Sequence, residues 1–174
     1  MTESEVFDAV TNGGSGDFAV LVDILNRHGS WCLIGGLAVN CYVEPVYTLD
    51  ADIVVVASKL SMIKRDLIEA KFLVEEFEHS VNARMSGSDL RIQLSLDPRY
   101  QSFLVNAQPM KVLGREVPVA SLSDIVRGKV WAWSDVKRRT TKRKKDELDL
   151  MRILEAYPET RDLMPEQIKA QVAE

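Results

Sequence analysis

The sequence predicts an α/β protein: a small mixed β-sheet with flanking helices over about 30–120, followed by a helical part over about 121–174, in one domain. Three observations carry this prediction. Short runs such as WCLI (31–34), DADIVVVA (50–57) and LRIQLSL (90–96) have the length and the β-branched or alternating composition of strands. Other segments repeat apolar residues at helical spacing, most clearly after residue 121. The 174 residues, 46% of them hydrophobic, suffice for one core, and no internal repeat or low-complexity linker divides them.

Taken in order, the Gly/Ser/Asn-rich TNGGSGD precedes a helix over 18–28 that Gly29 ends. WCLI is a short buried strand, the Gly35-Gly36 pair breaks it, and LAVNCYVE is a short helix leading to Pro45. The strand DADIVVVA follows, and Ser58 is placed to cap a helix over KLSMIKRDLIEA. FLVEEFE, SVNARM and LRIQLSL read as strands, the last two separated by a Ser-Gly-Ser turn, and KVLGREVPVA as a strand pair or one kinked strand. From Ser121 the pattern is helical through Trp133, and an amphipathic segment, DELDLMRILEAY, stops before Pro158.

The acidic start MTESEVFDAV lacks the charged-then-apolar pattern of a leader, and no apolar run approaches the roughly 20 residues that span a bilayer, so a cytoplasmic location without a membrane partner is expected. Cys32 and Cys41 sit among apolar neighbours and read as free thiols. His28 and His79 form no cluster, and Trp131 and Trp133 read as packing residues. The net charge is −4, yet the run KRRTTKRKK (137–145) holds seven positive charges and no negative one, which leaves −11 for the rest. Such a run is either a solvated face or a contact for phosphate or nucleic acid.

The strand DADIVVVA opens with two acids at i and i+2, which a strand points to one side. Like charges held close in a low dielectric either raise one pKa or recruit a cation. A strand, a Gly-Gly pair, a short helix and a strand opening with D-x-D therefore have a joint chemical logic. Glycines let the backbone approach a phosphate, and paired carboxylates hold magnesium against phosphate oxygens.

In this order the motifs of GGLAVNCYVEPVYTLDAD (35–52) resemble the nucleotidyltransferase superfamily, the DNA polymerase β-like fold. VPVASLSDIVRGKVWAW followed by KRKKDELDL resembles the segment after the sheet in minimal, abortive-infection AbiEii-like members. The resemblance implies that Asp50 and Asp52 bind Mg2+ and are catalytic, that Gly35 and Gly36 approach an NTP triphosphate, and that Thr48 supports that pocket. It places Lys129, Lys145 and Asp146 at the nucleotide, with Ala132 and Asp149 completing the pattern. It implies transfer of a nucleoside monophosphate to a hydroxyl of RNA, such as tRNA, or of a protein. Arg138, Arg139, Lys142 and Arg143 are then the expected acceptor contacts.

Two positions depart from the family pattern. Val46 stands where an Arg is common, and Gln93 in IQL stands where a third acid is expected. An amide oxygen ligates a metal but is no base at neutral pH. Asp89 and Asp97, four residues to either side of Gln93, read as turn residues. Two readings stay open: a magnesium-dependent transferase that uses Gln93 in the third position, and a catalytically degenerate module that binds a nucleotide or partner, such as the cognate chain of a toxin-antitoxin or phage-defence system.

Overall fold

The computed structural model describes residues 1–173. The first two helices are α1 (Glu3–Thr11) and α2 (Gly14–Asn26). Then come β1 (Trp31–Ile34), α3 (Gly35–Val39), β2 (Asp50–Val55) and α4 (Leu60–Glu69). Strands β3 (Leu73–Glu76), β4 (Ser80–Arg84), β5 (Arg91–Ser95), β6 (Gln108–Val112) and β7 (Arg115–Val119) follow, and α5 (Leu122–Ser134), α6 (Thr140–Ala156) and α7 (Glu166–Lys169) close the chain. The strands form one mixed sheet in the order β3-β4-β5-β2-β1-β7-β6.

The centre of this sheet explains why β2 reads as an apolar run. It pairs antiparallel with β1 and parallel with β5, so both its edges are covered, and Ala51, Ile53 and Val55 are fully buried on the face away from Asp50 and Asp52. Phe18, Leu21 and Leu25 of α2 and Ile63 and Leu67 of α4 belong to the same core. The helical C-terminal part is tied to the sheet region through Tyr42, whose hydroxyl donates to Ala120 O at 2.9 Å and whose carbonyl accepts from the Tyr157 hydroxyl at 2.8 Å.

Several boundaries differ from the sequence expectation. The acidic N-terminus is helical because Thr2 and Glu5 form a reciprocal capping box. Helix α2 starts at Gly14 instead of residue 18. The Gly pair does not precede a helix but opens α3, which ends at Val39. Ser58 is no cap: it lies in a 3-10 turn, Ala57–Lys59, ahead of α4. KVLGREVPVA is the C-terminal part of a hairpin of β6 and β7 whose first strand starts earlier, at Gln108, with Leu113 and Gly114 at φ 48° and 79° in the two-residue turn. Ser121 does cap α5, accepting from Asp124 N at 3.2 Å. Helix α6 begins at Thr140, so most of the basic run forms its first turns, and α7 lies beyond the last predicted element.

Both thiols are free: Cys32 is buried and Cys41 partly so, and burial pushes them up to about 12 and about 11. Among the described residues no helix is long and apolar enough to cross a membrane.

Candidate active site

The site is built where β1 ends beside the start of β2. Ile34 is the register partner of Asp52, so the chain leaving β1 turns directly over that carboxylate. Gly35 makes the turn at φ +72°, and a Cβ there would lie 2.9 Å from both Cβ and Cγ of Asp52 and closer still to Oδ2. A Cβ on Gly36 would meet Thr48 Oγ1 at 3.3 Å. Thr48 is buried, and its Oγ1 accepts from Asp50 N at 3.2 Å. The Gly-Gly pair and the D-x-D strand are thus one packed unit.

Gly35→Ala combines a positive φ with a clash against a buried strand. It is expected to lower stability by about 2–4 kcal/mol, read by urea unfolding. Gly36→Ala, which meets only a tight contact, should cost clearly less; equal losses would show that the close approach at Asp52 is not what selects glycine.

The two carboxylates have opposite electrostatic settings. Asp50 accepts from Lys142 Nζ at 2.6 Å and faces Arg91 Nε at 2.7 Å. Burial pushes its pKa up, but the Lys142 hydrogen bond and the charges of Lys142, Arg91 and Lys145 outweigh burial and hold it below its ordinary value. Asp52 makes no side-chain hydrogen bond among the described residues. Burial, then the charge of Asp50, raise its pKa, and Lys129, Lys142 and Arg138 offset this only in part.

Behind them lies a buried ion network joining α5 to α6. Lys129 Nζ is 3.0 Å from Asp146 Oδ1 and 2.7 Å from Asp149 Oδ2. Arg138 Nε donates to Asp146 Oδ2 at 2.7 Å, and Arg152 pairs with Asp149 Oδ1 at 2.8 Å. Although burial opposes its charge, Asp149 and Asp146 hold the Lys129 ammonium above its usual value. Lys145 lies near Asp50 and Asp149, and burial lowers its pKa.

Gln93 is the register partner of Asp52 on the parallel neighbour β5, which places both on the same face. Its side chain makes no hydrogen bond among the described residues. Asp89 and Asp97 are turn residues: Asp89 receives Asn12 Nδ2 before β5, and Asp97 caps the 3-10 turn Pro98–Leu104 through Arg99 N at 2.9 Å. Val46 is held by its backbone, donating to Asn40 Oδ1 and accepting from Asn40 Nδ2. His28 pairs with Asp66 at 2.6 Å, away from these residues.

A cavity of about 140 Å³ is lined by Gly36, Thr48, Asp50, Asp52, Gln93, Lys129, Arg138, Lys142, Lys145 and Asp146. Gly35 lines an adjoining cavity of about 180 Å³. Of the four basic residues expected at an acceptor, Arg138 and Lys142 turn inward to Asp146 and Asp50. Arg143 Nε donates to Trp133 O at 2.9 Å, and Arg139 is exposed just ahead of α6. Sequence reasoning missed Arg91 and Arg152. Arg91 lies two residues from Gln93 on one strand face, a signal that needed only the β2–β5 register; Arg152 stands three residues after Asp149 on α6.

Among the described residues no three His, Cys, Asp or Glu side chains cluster as metal ligands. The oxygen donors present, two carboxylates, one of them without a hydrogen bond, and the amide oxygen of Gln93 nearby, are of the kind that suits a hard cation such as magnesium with further ligands from outside the chain.

No protein-family model matches the chain, and no curated protein matches it. Solved structures do. The antibiotic-resistance factor ANT(2'')-Ia superposes with a TM-score of 0.61 at 13% identity, covering 91% of this chain and 89% of that one. An antigenic nucleotidyltransferase-like protein from Paracoccidioides brasiliensis gives 0.57 at 16% identity, over 90% and 88% of the two chains. The lincosamide antibiotic adenylyltransferase LnuA, solved with lincomycin, gives 0.53 at 12% identity, over 78% and 94%. This chain has the nucleotidyltransferase fold.

Proposed function

We propose that the protein is a magnesium-dependent nucleotidyltransferase that moves a nucleoside monophosphate from an NTP to a hydroxyl. The observation that supports this best is the seat of Asp52: a partly buried carboxylate without a hydrogen bond, pressed beneath Gly35 and facing Lys129, Lys142 and Arg138. Burial and the charge of Asp50 both disfavour its ionised form, and a cation brought in with the nucleotide offsets both. Asp50 and Asp52 would hold magnesium, which supplies charge neutralisation at the phosphate oxygens.

The chain's own residues carry the remaining work. Gly35 and Gly36 keep side chains out of the space above the carboxylates, so the triphosphate approaches the backbone there. Lys145 and Lys142 face the developing negative charge of the leaving pyrophosphate, Lys142 exchanging its contact with Asp50 for a phosphate oxygen. Lys129 and Asp146, engaged with each other, hold α6 and its lysines in place. The acceptor oxygen bonds to the α-phosphorus as that phosphorus releases pyrophosphate, and the hydroxyl proton leaves to Asp52 or solvent.

The nearest experiment is a thermal melt with magnesium and each of the four NTPs. At least one should raise Tm, and no shift with any would remove the basis for nucleotide chemistry. A second reading, a non-catalytic module that binds nucleotide or a toxin-antitoxin or phage-defence partner, draws on one observation: an amide instead of an acid stands beside Asp52. Gln93→Asp decides between the two. In a transferase it adds a base and a metal ligand, raising metal affinity and raising transfer by up to about 10²–10⁴-fold, while lowering apo stability by like-charge repulsion. If neither form turns over and both bind nucleotide, the module is the correct reading.

A further inference from the structure

A cleft of about 550 Å³ opens on the far side of Gln93, and it shares Gln93, Ser95, Tyr100 and Arg138 with the cavity beside Asp52. One wall is a fixed stack. Phe103 lies against Trp131 at 5.7 Å and 15°, and the Arg99 guanidinium lies over the Trp131 ring at 5.3 Å. Tyr100 braces both rings edge-on, at 5.2 Å and 5.4 Å. Asp97 locks the guanidinium from the side, receiving Nη2 at 2.8 Å and Nε at 3.1 Å, so its orientation is set and its charge balanced. The Arg99 side chain remains 57% exposed. An exposed, charge-balanced guanidinium held above an indole is a platform on which another planar π system can stack.

Beside this wall runs the loop between α5 and α6, of which Asp135 and Arg138 line the cleft together with Ser134 at the end of α5. Lys137 and Arg139 of this loop are exposed and make no side-chain ion pair or hydrogen bond among the described residues. A stacking face beside a loop that also carries two exposed cations outside the cleft lining, Lys137 and Arg139, suits single-stranded nucleic acid, whose bases stack on aromatic and guanidinium planes while its phosphates meet Lys and Arg.

We propose that this cleft is the acceptor subsite, taking the 3′-terminal base of a single-stranded RNA on Arg99 and its last phosphates on Lys137 and Arg139. The inference rests on the nucleotidyl-transfer reading, because it sets the terminal hydroxyl toward Gln93 and Asp52.

The probe is a fluorescent single-stranded RNA of about six nucleotides, within the usual footprint of such sites, measured by anisotropy against wild type, Arg99→Ala and Arg99→Lys. Arg99→Ala should weaken binding about tenfold, the order expected when one base loses its stacking platform. Arg99→Lys keeps the charge but not the plane and should bind nearly as weakly. With an RNA whose 3′ nucleotide lacks its base, wild type and Arg99→Ala should bind alike. Lys137→Ala with Arg139→Ala should lower the log-log salt slope by about 0.7 for each phosphate that is no longer neutralised. Full retention of affinity in Arg99→Ala or Arg99→Lys, or an equal weakening with the abasic RNA, would overturn the stacking role. Absence of RNA binding by the wild type would overturn the subsite altogether. The NTP melt of the same preparations separates the cases: a retained Tm shift shows that the acceptor assignment alone has failed, and a missing one that the nucleotide reading has failed with it.

Discussion

Lys129→Met is expected to destabilise the protein by about 3 kcal/mol, the lower end of the range for breaking a buried ion pair. Lys129 is 9% exposed and sits between Asp146 and Asp149, which are 2% and 1% exposed. Removing the ammonium leaves two buried carboxylates in one network. Each keeps an arginine, Arg138 for Asp146 and Arg152 for Asp149, which is why the effect stays at the low end. Urea unfolding measures it. Replacing all three together, with Asp146→Asn and Asp149→Asn added, should recover part of the stability, because no uncompensated buried carboxylate then remains. If Lys129→Met unfolds at the wild-type urea concentration, the network is not what joins α5 to α6. The pH sign follows from the direction of its shift. The Lys129 pKa is raised, so its contribution is whole below the unfolded lysine value and is lost only as alkaline pH passes through the folded one.

The double variant Asp50→Asn/Asp52→Asn is expected to abolish the Tm shift produced by magnesium and NTP. At a ligand concentration about 100 times Kd that shift corresponds to roughly 2.7 kcal/mol, well above the error of a melt. Nucleotide transfer should vanish with it. The single variants separate the two acids in the ligand-free protein. Asp52 has a raised pKa, so its charged form destabilises the fold at neutral pH and the protein gains stability as pH falls through that pKa; Asp52→Asn should raise the apo Tm. Asp50 has a lowered pKa, so it stabilises above the unfolded aspartate value and that stability is lost as pH falls through its folded one; Asp50→Asn should lower the apo Tm. A retained ligand shift in the double variant would place the metal and nucleotide elsewhere. Equal and same-signed apo effects of the singles would mean that Lys142 and Arg91 do not discriminate between the two carboxylates.

The fold class, the first five strands and the strand, Gly-Gly, D-x-D order were legible because each is written in local chemistry; the last two strands were legible only as a strand pair or one kinked strand. Strand length, alternation, turn glycines and the i, i+2 rule act over a few residues, and the chain cannot avoid them. Boundaries failed where a remote partner or an irregular turn intervened. Ser58 has the chemistry of a cap, but the 3-10 turn there takes the backbone out of reach. Thr140 to Lys145 has no apolar period, yet it is helical because Lys142 and Lys145 face the Asp50 region and Asp146 is buried against Lys129 and Arg138.

What the sequence by itself determined is therefore the list of parts: two acids on one strand face, two glycines before them, an amide in place of a third acid, and a run of positive charge. Only the tertiary structure decided how they divide. It set Gln93 rather than Arg91 opposite Asp52, put Arg91 opposite Asp50, and turned Lys142 and Arg138 inward while leaving Lys137 and Arg139 in solvent. The reason is physical. Strand register and helix docking are chosen by burial summed over the whole sheet, and a charge adopts whichever partner that packing brings within a few ångström.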